Sequence, residues 1–200
     1  MTDCNDCTNC GPMRIGAKLP EMKLNAYHPK KDDIITIETS SLAGKWSIFM
    51  FYPADFTFVC PTELEEMAEL YEGITKENAE VFSVSTDTAF AHKAWHDSSP
   101  AIKKVQFPMI GDPTGELALL FDVYIHEEGM ALRGTFIVDP DGVLRTMEVH
   151  DNSIGRSAKE TLRKLRAAKF VREHGGNVCP AAWEPGAETL QPGIKLVGKI

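Results

Sequence analysis

The feature that most limits how this chain can fold is the run Trp46-Ser47-Ile48-Phe49-Met50-Phe51-Tyr52, six apolar or aromatic side chains around one hydroxyl. A strand points successive side chains to opposite faces, so a run without alternation must be covered on both sides. That calls for a central sheet with a layer on each face. The run is far too short to span a bilayer as a helix. It stops at Pro53, which has no N–H for a sheet ladder. From about Thr62 the period changes: Leu64, Met67, Ala68 and Tyr71 fall at i, i+3, i+4 and i+7, and Gly73 is expected to end the helix.

The rest of the chain repeats the alternation. Ile34–Ile37 and Val81–Ser85 read as strands, Thr86-Asp87-Thr88 as a cap, and Ala89–His96 as a helix. Asp112-Pro113-Thr114-Gly115 opens a helix through Phe121. Thr135–Val138 and Val143–Val149 are strands joined by Asp139-Pro140-Asp141-Gly142, a strong turn signal. A last helix from about Ser157 to Glu173, with Leu162, Leu165 and Ala168 inward, stops at Gly175-Gly176. The pattern describes an α/β layer fold with a mixed central sheet flanked by helices. Three segments follow: a Cys-rich tail over 1–12, a domain over 13–176 and an extended C-terminal arm over 177–200.

Charge removes several function classes. Lys and Arg number 21 against 29 Asp and Glu, a formal net charge of −8, which does not suit a nucleic-acid binder. The start, MTDCNDCTNC, has neither the basic nor the apolar region of a secretory signal, and no segment reads as a membrane span. A soluble, cytoplasmic chain is expected. The five cysteines, Cys4, Cys7, Cys10, Cys60 and Cys179, are an odd and unevenly spread set, unlike a disulfide scaffold.

Cys60 lies where the buried strand gives way to the helix. Unpaired N–H groups and the dipole of a first helical turn favour an anion there, and the thiolate is the reactive form of cysteine. Pro53 and Pro61 stiffen the loop on both sides, and the Thr57 hydroxyl is three residues from the sulfur. The plainer reading of Cys60 is a small buried residue that packs well.

Pro53-x-x-x-Thr57-x-x-Cys60 resembles the active-site signature of the peroxiredoxins. The longer run FYPADFTFVCPTE over 51–63 is similar to the typical two-cysteine branch, the alkyl hydroperoxide reductase C group above all. SVSTDT at 83–88, HKAW at 92–95, MIGDPTG at 109–115, IGR at 154–156, VCPAAW at 178–183 and the terminal LVGKI extend the likeness over about 13–200. It implies a thioredoxin-like fold and a peroxidase that reduces hydrogen peroxide and organic hydroperoxides without a cofactor. It implies further that Cys60 is the peroxidatic cysteine and becomes a sulfenic acid. Thr57 would hydrogen-bond peroxide and thiolate, Pro53 would shield the sulfenate, and Arg133 would hold the thiolate and polarise the O–O bond. Glu63 would orient Arg133, with Arg156 as a second supporting guanidinium. Cys179 would be the resolving cysteine, supplied by the partner subunit. The same likeness implies a homodimer assembling to a decamer, recycled by a flavoprotein disulfide reductase, thioredoxin or another dithiol.

Read locally, Arg133, Arg156 and Glu63 are ordinary: two solvated guanidiniums and a first-turn carboxylate. A thiol-disulfide oxidoreductase is the rival on this fold, but it needs C-x-x-C at the helix start, where Thr57 stands. A ring-forming chaperone is the non-enzymatic alternative. His92 and His96 have i, i+4 spacing without a third ligand, and read as partly exposed polar residues and not a metal site. Cys4, Cys7 and Cys10 fall outside the likeness. Their C-x-x-C-x-x-C spacing suits, in rising order of expectation, a shared metal site, an accessory dithiol, or a tail without catalytic part.

Overall fold

The computed structural model describes residues 11–199, so Cys4, Cys7 and Cys10 lie outside the described residues. The chain runs through β1 (Lys23–His28), β2 (Asp33–Glu38), β3 (Trp46–Phe51), α1 (Cys60–Lys76), β4 (Ala79–Ser85), α2 (Ala89–Ser98), β5 (Met109–Gly111) and α3 (Glu116–Leu120). It continues through β6 (Tyr124–Ile125), β7 (Met130–Ala131), β8 (Arg133–Val138), β9 (Leu144–His150) and α4 (Ala158–Glu173). Seven strands form one mixed sheet in the order β2-β1-β5-β4-β3-β8-β9, with β6 and β7 a separate hairpin. β3, β4 and β5 run parallel, and the remaining pairings are antiparallel. Every residue of β3 is buried, as its unbroken apolar run requires.

Aromatic rings fill one side of that strand. Phe121 stands 4.6 Å from Phe136, 5.2 Å from Phe51 and 5.5 Å from Phe49, centroid to centroid. Each such ring, fully removed from water, stabilises the fold by roughly 1.5–3 kcal/mol. Their cluster fixes the end of β3, and so the loop that carries the cysteine.

α1 starts at Cys60 and runs through Gly73 to Lys76, three residues beyond the expected stop. Ile74 explains it. It extends the stripe of Leu64, Met67 and Tyr71 and is fully buried. Burying an isoleucine is worth roughly 1.5–3 kcal/mol, against about 1 kcal/mol for glycine inside a helix. The chain turns instead at Asn78, whose φ is +55°. β1, β5 and the β6–β7 hairpin carry no expected signal either. β1 (KLNAYH) has weak strand propensity and exists through full six-residue pairing with β2. In α4 only Leu165 of the three expected inward residues is buried, together with Ala158 and Thr161, while Leu162 and Ala168 are half-buried.

Gly111 closes β5 where the backbone of the β4–α2 connection passes: a Cβ there would stand 2.7 Å from the Ala89 nitrogen and 2.8 Å from the Asp87 oxygen. Only glycine fits.

The structure divides into two compact units, one up to Arg156 and one from Ser157 onward. In the second, Ser157 caps α4 by accepting from the Glu160 N–H. The residues after the helix fold back along it. Arg163 donates to the Trp183 carbonyl at 3.0 Å, and the Trp183 ring lies 4.9 Å from Phe170. Val178 and Leu190 pair as an antiparallel bridge. Among the described residues no helix is long and apolar enough to cross a membrane.

Candidate active site

The site forms where β3 ends. Tyr52 leaves the sheet with its N–H still on the Val84 carbonyl, at 2.9 Å. The loop 53–59 then turns at Phe56, which takes φ +57°, and delivers Cys60 as the first residue of α1 with Pro61 in the first turn. Cys60 is 0 % exposed.

Four side chains close on one another here, all buried. Arg133, at the start of β8, donates from Nη1 to Cys60 Sγ at 3.3 Å and to Glu63 Oε2 at 2.7 Å. Its Nε donates to the Asn152 carbonyl at 2.9 Å. Arg156 donates to Glu63 three times: from its backbone N–H at 2.8 Å and Nε at 2.9 Å to Oε1, and from Nη2 at 3.0 Å to Oε2. Its Nη1 donates to the Gly134 carbonyl at 2.7 Å and to Thr135 Oγ1 at 3.1 Å. Glu63, one turn along α1 from Cys60, thus receives four hydrogen bonds from two guanidiniums and a backbone N–H.

Two cations and one anion leave a surplus positive charge against the sulfur. An anionic sulfur neutralises it, and charge-assisted bonds of this kind are about twice as strong as neutral ones. Burial alone would push the Glu63 carboxyl up; the hydrogen bonds and charge of Arg156, with the charge of Arg133, hold it below the usual value of 4.5. A carboxylate depressed in the folded state contributes stability that is complete above its unfolded value and is lost as pH falls through the folded one. Thermal unfolding followed downward from about pH 7 is therefore expected to show a loss below about pH 4.5 that Glu63→Gln lacks.

Pro53 is buried and Thr57 half-buried on the loop, and Thr57 Oγ1 donates to the Ala54 carbonyl at 2.8 Å. That bond uses the hydroxyl's one proton inside its own loop and leaves its lone pairs to accept. Cys179 lies in the second unit, half-buried, with Sγ 3.9 Å from the Ala167 carbonyl. Burial pushes its thiol up, opposed by the charge of Arg163.

His92 differs from its expected place. It is 0 % exposed, on the buried face of α2 with Ala89 and Trp95. The i, i+3, i+6 spacing of those three residues is the available signal. Its ring nitrogens meet Asp55 and the Ile110 carbonyl, whereas His96 turns to the Val105 carbonyl.

Known proteins share this outline. The AhpC/TSA family model matches residues 15–147, and that of the C-terminal domain of 1-Cys peroxiredoxin matches 167–195. Alkyl hydroperoxide reductase C of Staphylococcus saprophyticus is 55 % identical over 186 residues, 93 % of this chain and 98 % of that protein. Its counterpart from Pseudomonas aeruginosa is 52 % identical over the same shares. The crystal structure of Enterococcus faecalis AhpC superposes with a TM-score of 0.81 at 48 % identity, covering 84 % of this chain and 99 % of that one. The reduced 2-Cys peroxiredoxin of Plasmodium vivax gives 0.84 at 27 % identity, over 89 % and 93 %. The fold is thioredoxin-like, as expected.

Proposed function

The chain belongs to the AhpC/TSA family and is a peroxiredoxin peroxidase, and from that premise we propose that Cys60 is the cysteine that attacks peroxide. The observation that carries this is the Arg133 Nη1 contact with Cys60 Sγ, 3.3 Å long, inside the buried cluster with Glu63 and Arg156. The thiolate attacks the terminal oxygen of ROOH. The O–O bond breaks, its electron pair leaves with RO, which takes a proton, and the sulfur keeps OH as a sulfenic acid. Negative charge grows on the departing oxygen, and a fixed, permanently protonated guanidinium beside the sulfur lowers that barrier without exchanging a proton. Glu63 holds Arg133 in place and Arg156 holds Glu63. The Thr57 lone pairs accept from the protonated peroxide oxygen, and Pro53 keeps water from the sulfenate. Hydrogen peroxide and organic hydroperoxides both fit this chemistry.

Cys179 of a partner subunit then attacks the sulfenic sulfur. A disulfide forms, water leaves, and two electrons from a flavoprotein disulfide reductase or a thioredoxin-like dithiol restore both thiols. No bound cofactor takes part. Such a cycle belongs in a reducing cytoplasm. Assembly as a homodimer, and of dimers into a decamer, draws support from two surfaces. β9 ends the sheet and exposes Met147 and Val149, while Phe56 and Phe58 stand exposed on the loop, Phe58 by 93 %, and Phe90 on α2.

One equivalent of peroxide is expected to yield a covalent dimer on non-reducing electrophoresis. Cys179→Ser keeps the first oxidation at the wild-type rate and leaves a sulfenic acid that dimedone labels. A wild-type protein that remains monomeric on the gel after oxidation would overturn the intersubunit cycle. Because the Cys179 thiol is raised and reacts as thiolate, disulfide formation should quicken as pH rises from neutral.

Residues 1–10 stand outside this scheme. Their deletion is expected to leave the first turnover unchanged and to alter, at most, the choice of reductant. A slowed first turnover, or stoichiometric zinc or iron lost with the tail, would place Cys4, Cys7 and Cys10 in the chemistry.

A further inference from the structure

Behind the cysteine loop lies a second buried polar cluster, which the peroxidase scheme does not use. Asp55 Oδ1 accepts from the Tyr52 hydroxyl at 2.7 Å, and Asp55 Oδ2 stands 2.8 Å from His92 Nδ1. His92 Nε2 is 3.0 Å from the Ile110 carbonyl of β5. The Asp55 backbone N–H donates to Asp87 Oδ2 at 2.8 Å, and the same oxygen takes the Ser85 hydroxyl at 2.7 Å. Burial and Asp55 push the Tyr52 phenol well above its ordinary value, so it remains a donor. A carbonyl can only accept, which requires a proton on Nε2. One proton lies between Asp55 Oδ2 and Nδ1, which also has the Tyr52 hydroxyl at 3.4 Å, and a carboxylate that already accepts from Tyr52 on its other oxygen is the weaker base, so the proton is placed on Nδ1. An imidazole that donates from both nitrogens is a cation.

We propose that His92, as an imidazolium bridging the Ile110 carbonyl and the Asp55 carboxylate, is a positioning residue for peroxide reduction, fixing the loop that carries Pro53 and Thr57 against β4 and β5. The inference rests on the peroxidase reading and adds to it. Besides each other, the side-chain partners of His92 are the Ile110 carbonyl and the Tyr52 hydroxyl, and those of Asp55 are Tyr52 and, through its backbone N–H, Asp87, which Ser85 holds in turn; they act on the chemistry through the loop and not on the sulfur. The pinned stretch ends at Asp55, and the next residue, Phe56, is the one with left-handed backbone. The fixed and the movable parts of the loop therefore meet at Phe56. When Cys60 leaves its buried site to meet Cys179, the chain from Phe56 onward moves and Pro53–Asp55 stays.

The test separates positioning from mere folding by two reactions of the same sulfur. Peroxide oxidation needs the placed loop; alkylation by iodoacetamide needs only the thiolate and access. In Asp55→Ala, single-turnover oxidation is expected to fall by about 30-fold or more, the scale of an ångström-sized misplacement, while alkylation stays within about 3-fold or quickens. His92→Gln, which can replace one of the two donors, should fall by about 10-fold with the same split, and it serves if Asp55→Ala does not fold. Asp55→Asn is the conservative rescue: its amide donates to Nδ1 of a neutral imidazole and its oxygen still accepts from Tyr52, so oxidation should return to within about 5-fold of wild type. The ¹⁵N spectrum of His92 should show two protonated nitrogens in the wild type and one in Asp55→Asn. Oxidation and alkylation falling together, oxidation unchanged in Asp55→Ala and His92→Gln, or a neutral His92 ring in the wild type would each overturn the proposal. Failure of the peroxidase reading has a different signature, a Cys60→Ser protein that still consumes peroxide.

Discussion

Cys60→Ser is expected to remove peroxide reduction, lowering the single-turnover constant by about ten-thousand-fold or more, the scale on which deleting a nucleophile acts. A hydroxyl is a poor nucleophile toward a peroxide oxygen, and nothing in the cluster can make it otherwise: the Arg133 guanidinium cannot accept the hydroxyl proton, and Glu63 is already engaged by four donors. The fold should survive, since serine is close in size and can accept from Arg133 as the sulfur does. Circular dichroism and thermal unfolding near wild type, with stopped-flow peroxide consumption at background, are the expected pair of results. Consumption at the wild-type rate would remove Cys60 from the reaction.

The second large effect belongs to Glu63→Gln. The side chain is 2 % exposed and offers both oxygens to two guanidiniums. Glutamine keeps the shape but turns an NH₂ toward N–H groups and leaves two buried guanidiniums without their shared carboxylate. Removing one member of a buried ion pair typically costs about 3–5 kcal/mol, because the remaining charge is left unpaired. For a chain of this size that corresponds to a fall in Tm of roughly 10 °C. Catalysis should suffer separately. With Arg133 no longer held, the donor aimed at the departing oxygen is lost, and removal of one such donor costs about 10²–10³ in rate. Measured at a temperature where the variant is fully folded, a first-turnover constant within about 3-fold of wild type would show that Glu63 is structural only.

The difference between what the residues disclose and what only the structure discloses follows contact range. Leu64, Met67 and Tyr71 announce α1 because a helix is a local object with a local period. The helix start is legible to within two residues for the same reason, expected near Thr62 and found at Cys60. The helix end is not: Ile74 keeps α1 going past Gly73 through burial under distant elements, which no window around Gly73 contains. β1 forms because β2 is there to pair with it. The site divides likewise. Cys60, Thr57 and Pro53 stand out within one loop, whereas Arg133 and Arg156 meet Glu63 from 70 and 93 positions away and look like solvated arginines in their own neighbourhoods. Family likeness alone predicts their gathering. His92 is misread from its own helix because a histidine on an amphipathic helix is usually wet, and its carboxylate partner lies 37 residues upstream.

The placement of the tryptophans gives the protein optical reporters of its own. Trp95 lies 5.9 Å from the Phe56 ring, on the very residue about which the cysteine loop turns. Trp183, only 3 % exposed, is held in the second unit against Phe170, with its indole N–H on the Ala187 carbonyl at 3.1 Å. Indole emission shifts to the red and is quenched differently when water replaces a packed ring. Two of the three tryptophans therefore lie beside the two segments that the proposed cycle moves, one in each unit, while the third, Trp46, is buried in β3. With single Trp→Phe substitutions at Trp95 or Trp183, and Trp46 as a constant background in both, the loop and the arm can be timed separately by rapid mixing of the unlabelled chain.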